Sequence, residues 1–171
     1  MNIFRKLFAS NPESQDNSVN QSNSEITSKE HIEFANAAIE VFNPLMRKFG
    51  FNLLQFKITE YNTTIIWIKG KCYIDFGANT HPHDSPSYYG IALGEFKGDY
   101  YHYAEVDSVG LWRLKAIQDN LDSVEDTLFP FGADIGPSLV ETKYDLLKYA
   151  KRFLENDLTQ FYIAREKQWN Q

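Results

Sequence analysis

A chain of 171 residues that is 43% hydrophobic can bury one real core, and its single cysteine rules out a disulfide framework. That cysteine use suits a reducing compartment, so a cytoplasmic protein is expected. The net charge of −6 argues against a duplex-binding surface, which needs clustered Lys and Arg, and permits an acidic face for a basic partner.

No apolar run reaches the ~20 residues of a membrane span. The first residues are too short and too charged for a signal peptide, and Asn2 stands where myristoylation needs glycine. Residues 1–9 form a short amphipathic segment through Ile3, Phe4, Leu7 and Phe8. Such a segment can dock weakly on a membrane or a partner; a frayed terminus is the preferred reading, because so short a helix is marginal alone. Residues 10–28 are almost wholly polar and read as a disordered linker. Residues 29–171 are then one α+β domain.

In that domain Ile32, Ala35, Ile39, Phe42, Met46 and Phe49 repeat at helical spacing, with Phe34, Ala38, Val41 and Leu45 as a second stripe. Pro44 should kink or break this helix, with Asn43 free to cap a second piece, and Gly50 should end it. Leu54, Phe56 and Ile58 alternate with polar residues, as in an edge strand. Residues 64–69 are apolar on both faces, as in a central strand. Gly70 allows a tight hairpin into Cys72 to Gly77, and strands follow near 88–96 and 100–106. Consecutive hairpins give an antiparallel meander of about five strands, covered by the N-terminal helix and a C-terminal helix pair.

Ser108 is placed to cap a helix through Leu111, Trp112, Leu114 and Ile117. Residues 128–137 read as a loop. Ser138 and Glu141 read as a capping box. The helix after it should bury Val140, Tyr144 and Leu147 until Asn156 and Asp157 break it, and Asp157 then caps the last helix.

Four constellations bear on chemistry. His81, His83 and Asp84 share one loop, with His31 and His102 available to complete a metal site; they partly resemble the His-x-His-x-Asp-His element of metallo-β-lactamase-like hydrolases, but the later His is missing and the strand order is wrong. An exposed loop shaped by Pro82 and Pro86 is preferred, and a small metal-dependent hydrolase is the alternative function. Cys72 lies mid-strand with Ile74 and Phe76, which suits a buried thiol better than a nucleophile. Asp75, Glu95, Glu105 and Asp107 sit on or beside neighbouring strands, where two could share a face and divide acid and base roles. The last is Tyr-rich and acidic: Tyr88, Asp99, Tyr101, Tyr103 and Glu105. Tyrosine offers large contact area at low entropy cost, so these residues are the expected partner-binding face. No phosphate-cradling loop or nucleophile elbow occurs, and no cofactor is expected.

The stretches PLMRKFGF, TTIIWIKGKCYIDFG and LLKYAKRFLENDLTQF resemble, in general pattern, small cytosolic bacterial immunity proteins of polymorphic toxin systems. That resemblance implies a non-enzymatic protein that binds and blocks a toxin domain, with an acidic surface suited to a basic one.

Overall fold

Five strands in the order β1-β2-β3-β4-β5, every neighbouring pair antiparallel, follow the chain order without a crossover in a computed structural model. They are β1 (Asn52–Ile58), β2 (Asn62–Lys69), β3 (Cys72–Asn79), β4 (Tyr88–Glu95) and β5 (Ser108–Gly110). A two-residue strand, β6 (Phe129–Pro130), pairs with the start of β4. The structure describes residues 28–81, 88–96, 108–121, 129–130 and 135–169, with backbone only for Tyr88, Phe129, Pro130 and residues 167–169. The expected N-terminal segment, most of the linker, and the strand at 100–106 lie outside the described residues.

The helices are α1 (Lys29–Lys48), α2 (Leu111–Asp119), α3 (Ile135–Tyr149), α4 (Lys151–Leu154) and α5 (Thr159–Trp169). None of the described helices is long and apolar enough to cross a membrane. This is the expected α+β class. Two-residue periodicity assigns the sheet faces. Ile65 and Trp67 of β2, Cys72, Ile74 and Phe76 of β3, Tyr89, Ile91 and Leu93 of β4, and Val109 of β5 share one core with α1 to α5. Ile66, Tyr73 and Phe96 form a smaller cluster on the second face. Both faces of β2 are thus buried, as its unbroken apolar run predicts.

The turns follow local chemistry. Lys69 pairs with Cys72, so Gly70 and Lys71 make a two-residue hairpin, and Gly70 takes the positive φ of 58° that its first position needs. At the end of α1, Gly50 at φ 80° lets its own N–H reach the Arg47 carbonyl (3.0 Å) and the Phe51 N–H reach that of Met46 (2.9 Å). This is a Schellman motif, and the buried Met46 and Phe51 supply its apolar contact. Asn156 at φ 70° ends α4 the same way: its N–H donates to the Phe153 carbonyl and that of Asp157 to the Arg152 carbonyl. The Asp157 carboxylate then accepts from the N–H of Thr159, the first residue of α5, at 3.0 Å.

Several expectations need correction. Helix α1 runs unbroken through Pro44. Pro44 and Glu40, whose carbonyl the missing N–H leaves free, are both exposed, so water can satisfy that carbonyl. Asn43 is no cap; its Oδ1 accepts from the Trp67 indole at 3.4 Å. The buried arc centres on Phe34, Ala35, Ala38 and Phe42 and takes in His31, whereas Ile32 is exposed. Ser108 lies in β5, and Gly110 precedes α2. Helix α3 begins at Ile135 and so includes part of the expected loop, while Phe129 and Pro130 are in a strand. Ser138 is inside that helix and caps nothing. Its hydroxyl and that of Thr142 lie 2.6 and 2.8 Å from the buried Tyr89 hydroxyl. The need to partner that hydroxyl turns a polar stripe inward and leaves Val140 and Tyr144 exposed, at 44% and 68%.

Candidate functional site

The partner-binding residues read from sequence fall at the two ends of β4. Tyr88 opens the strand opposite Asn79. Asp99, Tyr101, Tyr103 and Glu105 belong to residues 97–107, which lie outside the described residues and connect β4 to β5. Both ends of that connection are anchored. The Phe96 N–H donates to the Lys71 carbonyl at 2.8 Å, and its ring packs 4.6 Å from Tyr73. Ser108 pairs with Gly94. Along β4, Tyr88 stands about 23 Å from Glu95 at ~3.3 Å per residue, so the strand separates it from the anchored base.

At that base Glu95 pairs with Cys72 on the helix-covered face and accepts from the Tyr162 hydroxyl at 2.9 Å. Arg165 stacks 4.9 Å from the Tyr162 ring. The Cys72 thiol is 3.8 Å from the Asn156 amide oxygen. Burial, then the nearby Glu95 charge, push its pKa up. A thiol held protonated and only 3% exposed is a packing group, as its strand position suggests.

His83, Asp84 and His102 lie outside the described residues. His81 donates its N–H to the Asn79 side chain at 2.8 Å, and its ring meets Tyr61 edge-on at 5.3 Å. His31, a reserve ligand in the sequence reading, is fully buried, with its ring nitrogens 2.8 Å from the Thr63 hydroxyl and 2.9 Å from that of Thr80. It is a clasp between α1 and the ends of β2 and β3. Among the described residues no group of three or more His, Cys, Asp or Glu is placed to hold a metal.

Burial lowers the His31 pKa from its ordinary 6.5 and outweighs Glu30 and the Tyr61 backbone, which raise it. The native state therefore holds fewer protons here than the unfolded chain. The His31 contribution is present above the unfolded pKa and is lost over the window that opens as pH falls through 6.5. Relative to His31→Gln, the wild type should lose stability across that window in urea titrations; a constant difference would dismiss the assignment.

The carboxylates do not converge where they can be seen. Asp75 and Glu95 are on opposite faces of the sheet, while Glu105 and Asp107 lie outside the described residues. Asp75 is mostly buried on the second face, between Ile66 and Ala92. Its Oδ1 is buried without a hydrogen-bond partner, and burial pushes its pKa from 3.8 to about 6. A carboxyl so poised can exchange a proton near neutral pH or receive a cation.

No family model, no curated protein and no solved structure matches the chain. The assignment therefore rests on the site's own chemistry.

Sequence reasoning placed Asp75 on the face opposite Cys72, Ile74 and Phe76 but not its depth. The available signal was a lone carboxylate on the third of five strands, which has a paired strand along each edge. It also missed what surrounds Asp75: Gly77 paired with Gly90, and Tyr73 lying over Gly94.

Proposed function

We propose that this protein is a non-enzymatic protein-binding module of the cytoplasm. In its specific form it is an immunity protein that neutralises a basic toxin domain, as the sequence resemblance implies. The contact residues are Asp99, Tyr101, Tyr103 and Glu105, with Tyr88 at the far end of β4.

One observation carries this reading. Two adjacent antiparallel strands that a two-residue turn could join are instead joined by residues 97–107, anchored on the buried Phe96 at one end and the β4-paired Ser108 at the other. A long connection fixed at both ends to a sheet is how binding loops are commonly built. This one holds Tyr100, Tyr101 and Tyr103 among Asp99, Glu105 and Asp107. Tyrosine supplies contact area, and the carboxylates supply attraction to a basic surface and a faster on-rate.

The test is an untagged pull-down from the native host, with metal content assayed on the same material, followed by affinities of variants for the captured partner. Tyr101→Ala and Glu105→Lys should each weaken binding by roughly tenfold or more, with the melting temperature unchanged. Wild-type affinity in both variants would overturn the reading. Stoichiometric zinc with no partner would overturn it too, in favour of the His81 loop.

A further inference from the structure

We propose that Asp75 receives a cationic side chain, an arginine or lysine presented by the protein partner, over Gly77, Gly90 and Ala92 on the second face of the sheet. The occupant rests on the binding-module reading; the site rests on its own geometry.

The sheet register builds the site. Asp75 lies between Ile66 of β2 and Ala92 of β4, and in the adjoining row Gly77 pairs with Gly90. Among the described residues, a Cβ added at Gly90 would meet nothing within 4 Å, and one at Gly77 would meet only the Thr63 carbonyl oxygen, at 3.7 Å. Gly77 and Gly90 themselves put no side chain beside the carboxylate, and no described residue fills their Cβ positions. The neighbouring positions are filled: the Tyr73 ring occupies the place of a Cβ at Gly94, and the Trp112 indole occupies that at Gly110, which pairs with Ala92. A carboxylate beside paired glycines with aromatic rings at its margin is the chemistry that holds an ammonium or guanidinium.

Among the described residues the carboxylate has no counter-charge, and its Oδ1 has no hydrogen-bond partner. Besides Asp75, the described strands place Lys57, Tyr73 and, by register, Tyr88 as titratable residues on this face, and Lys57 is exposed on the edge strand. Arg113 of α2 lies 5.9 Å from the Trp112 ring. An ionised carboxyl with a buried, unpartnered oxygen costs stability, and an apolar residue would fit a central strand better. A cation from outside would supply the missing partner, and Asp75 keeps partial exposure through which it can be reached. Helices bury the first face of the sheet, while the second face shares Phe96 with the anchored base of residues 97–107. A partner gripping that connection is thereby brought to the side on which Asp75 lies.

The experiment uses N-acetyl-L-argininamide as probe and backbone amide NMR of the full chain as readout. At pH 7.5 the probe should shift the amides of Ile66, Gly90 and Ala92. Those shifts should be lost at pH 4.5, where the carboxyl is protonated, and in Asp75→Asn. With the captured partner, Asp75→Asn should weaken affinity by about tenfold or more. Shifts that are absent at these amides, or that persist in Asp75→Asn, would overturn the site. The probe needs no partner, so that failure leaves the binding-module reading to Tyr101 and Glu105, and failure of those variants leaves the Asp75 site to the probe.

Discussion

Phe76→Ala should lower the stability of the domain by about 4 kcal/mol, the cost of emptying a large aromatic site in a packed core. Phe76 is fully buried in β3 and is the hub of the core. Its ring stacks on Phe34 of α1 at 5.3 Å and 7° and meets Phe42 at 5.0 Å and Tyr89 at 5.5 Å. Removing it strips contacts from α1 and β4 together, and three rings held by one another cannot all move into the space. For a chain of this size the melting temperature should fall by roughly 10 °C. Tyr144→Ala, on the exposed side of α3, should change stability by less than about 0.5 kcal/mol. Calorimetry on both variants checks the pair. Equal losses would mean that α3 faces the core through its Val140–Tyr144 stripe, contrary to the packing described here.

Asp75→Asn should make the domain more stable at pH 8, by roughly 3 kcal/mol at most. The folded pKa, about 6, lies above the ordinary 3.8. The native state therefore holds its proton more tightly than the unfolded chain. Stability from this group is fully present below about pH 3.8 and is lost as pH rises through about 6. A shift of about two units at 1.36 kcal/mol per unit sets the size. Asparagine keeps the shape and removes the charge. Urea titrations should show the advantage of Asp75→Asn growing from pH 4 to pH 8. His31 acts in the opposite direction, so the wild-type profile is the sum of the two and the variant isolates the histidine. An advantage that does not depend on pH would show that Asp75 is solvated in the native state. A residue that weakens the fold at neutral pH and strengthens partner binding is one kept for function.

Much of the architecture is legible in local pattern. Two-residue alternation, the Gly70 hairpin and the Gly50 helix end locate β1 to β4 within two residues at nearly every boundary and establish the antiparallel order, because those signals act between neighbours in the chain. The run from Thr64 to Ile68, apolar on both faces, identifies a central strand. Which stripe of a helix is buried is less secure. The Ile32 and Val140–Tyr144 stripes are as apolar as those that the core selected. Burial was decided by partners distant in sequence: Thr63 and Thr80 for His31, and Tyr89 for Ser138 and Thr142.

The sequence by itself determined an acidic α+β chain with an antiparallel meander and a Tyr-rich acidic stretch, which it read as the last strand, since composition, period and turn chemistry are local properties. Only the tertiary structure decided that Asp75 and Glu95 lie on opposite faces, that His31 is held between two threonines, and that a mostly buried carboxylate sits beside paired glycines. Those facts depend on strand register and on which helix face meets the sheet, and both are set by packing between residues far apart in the chain.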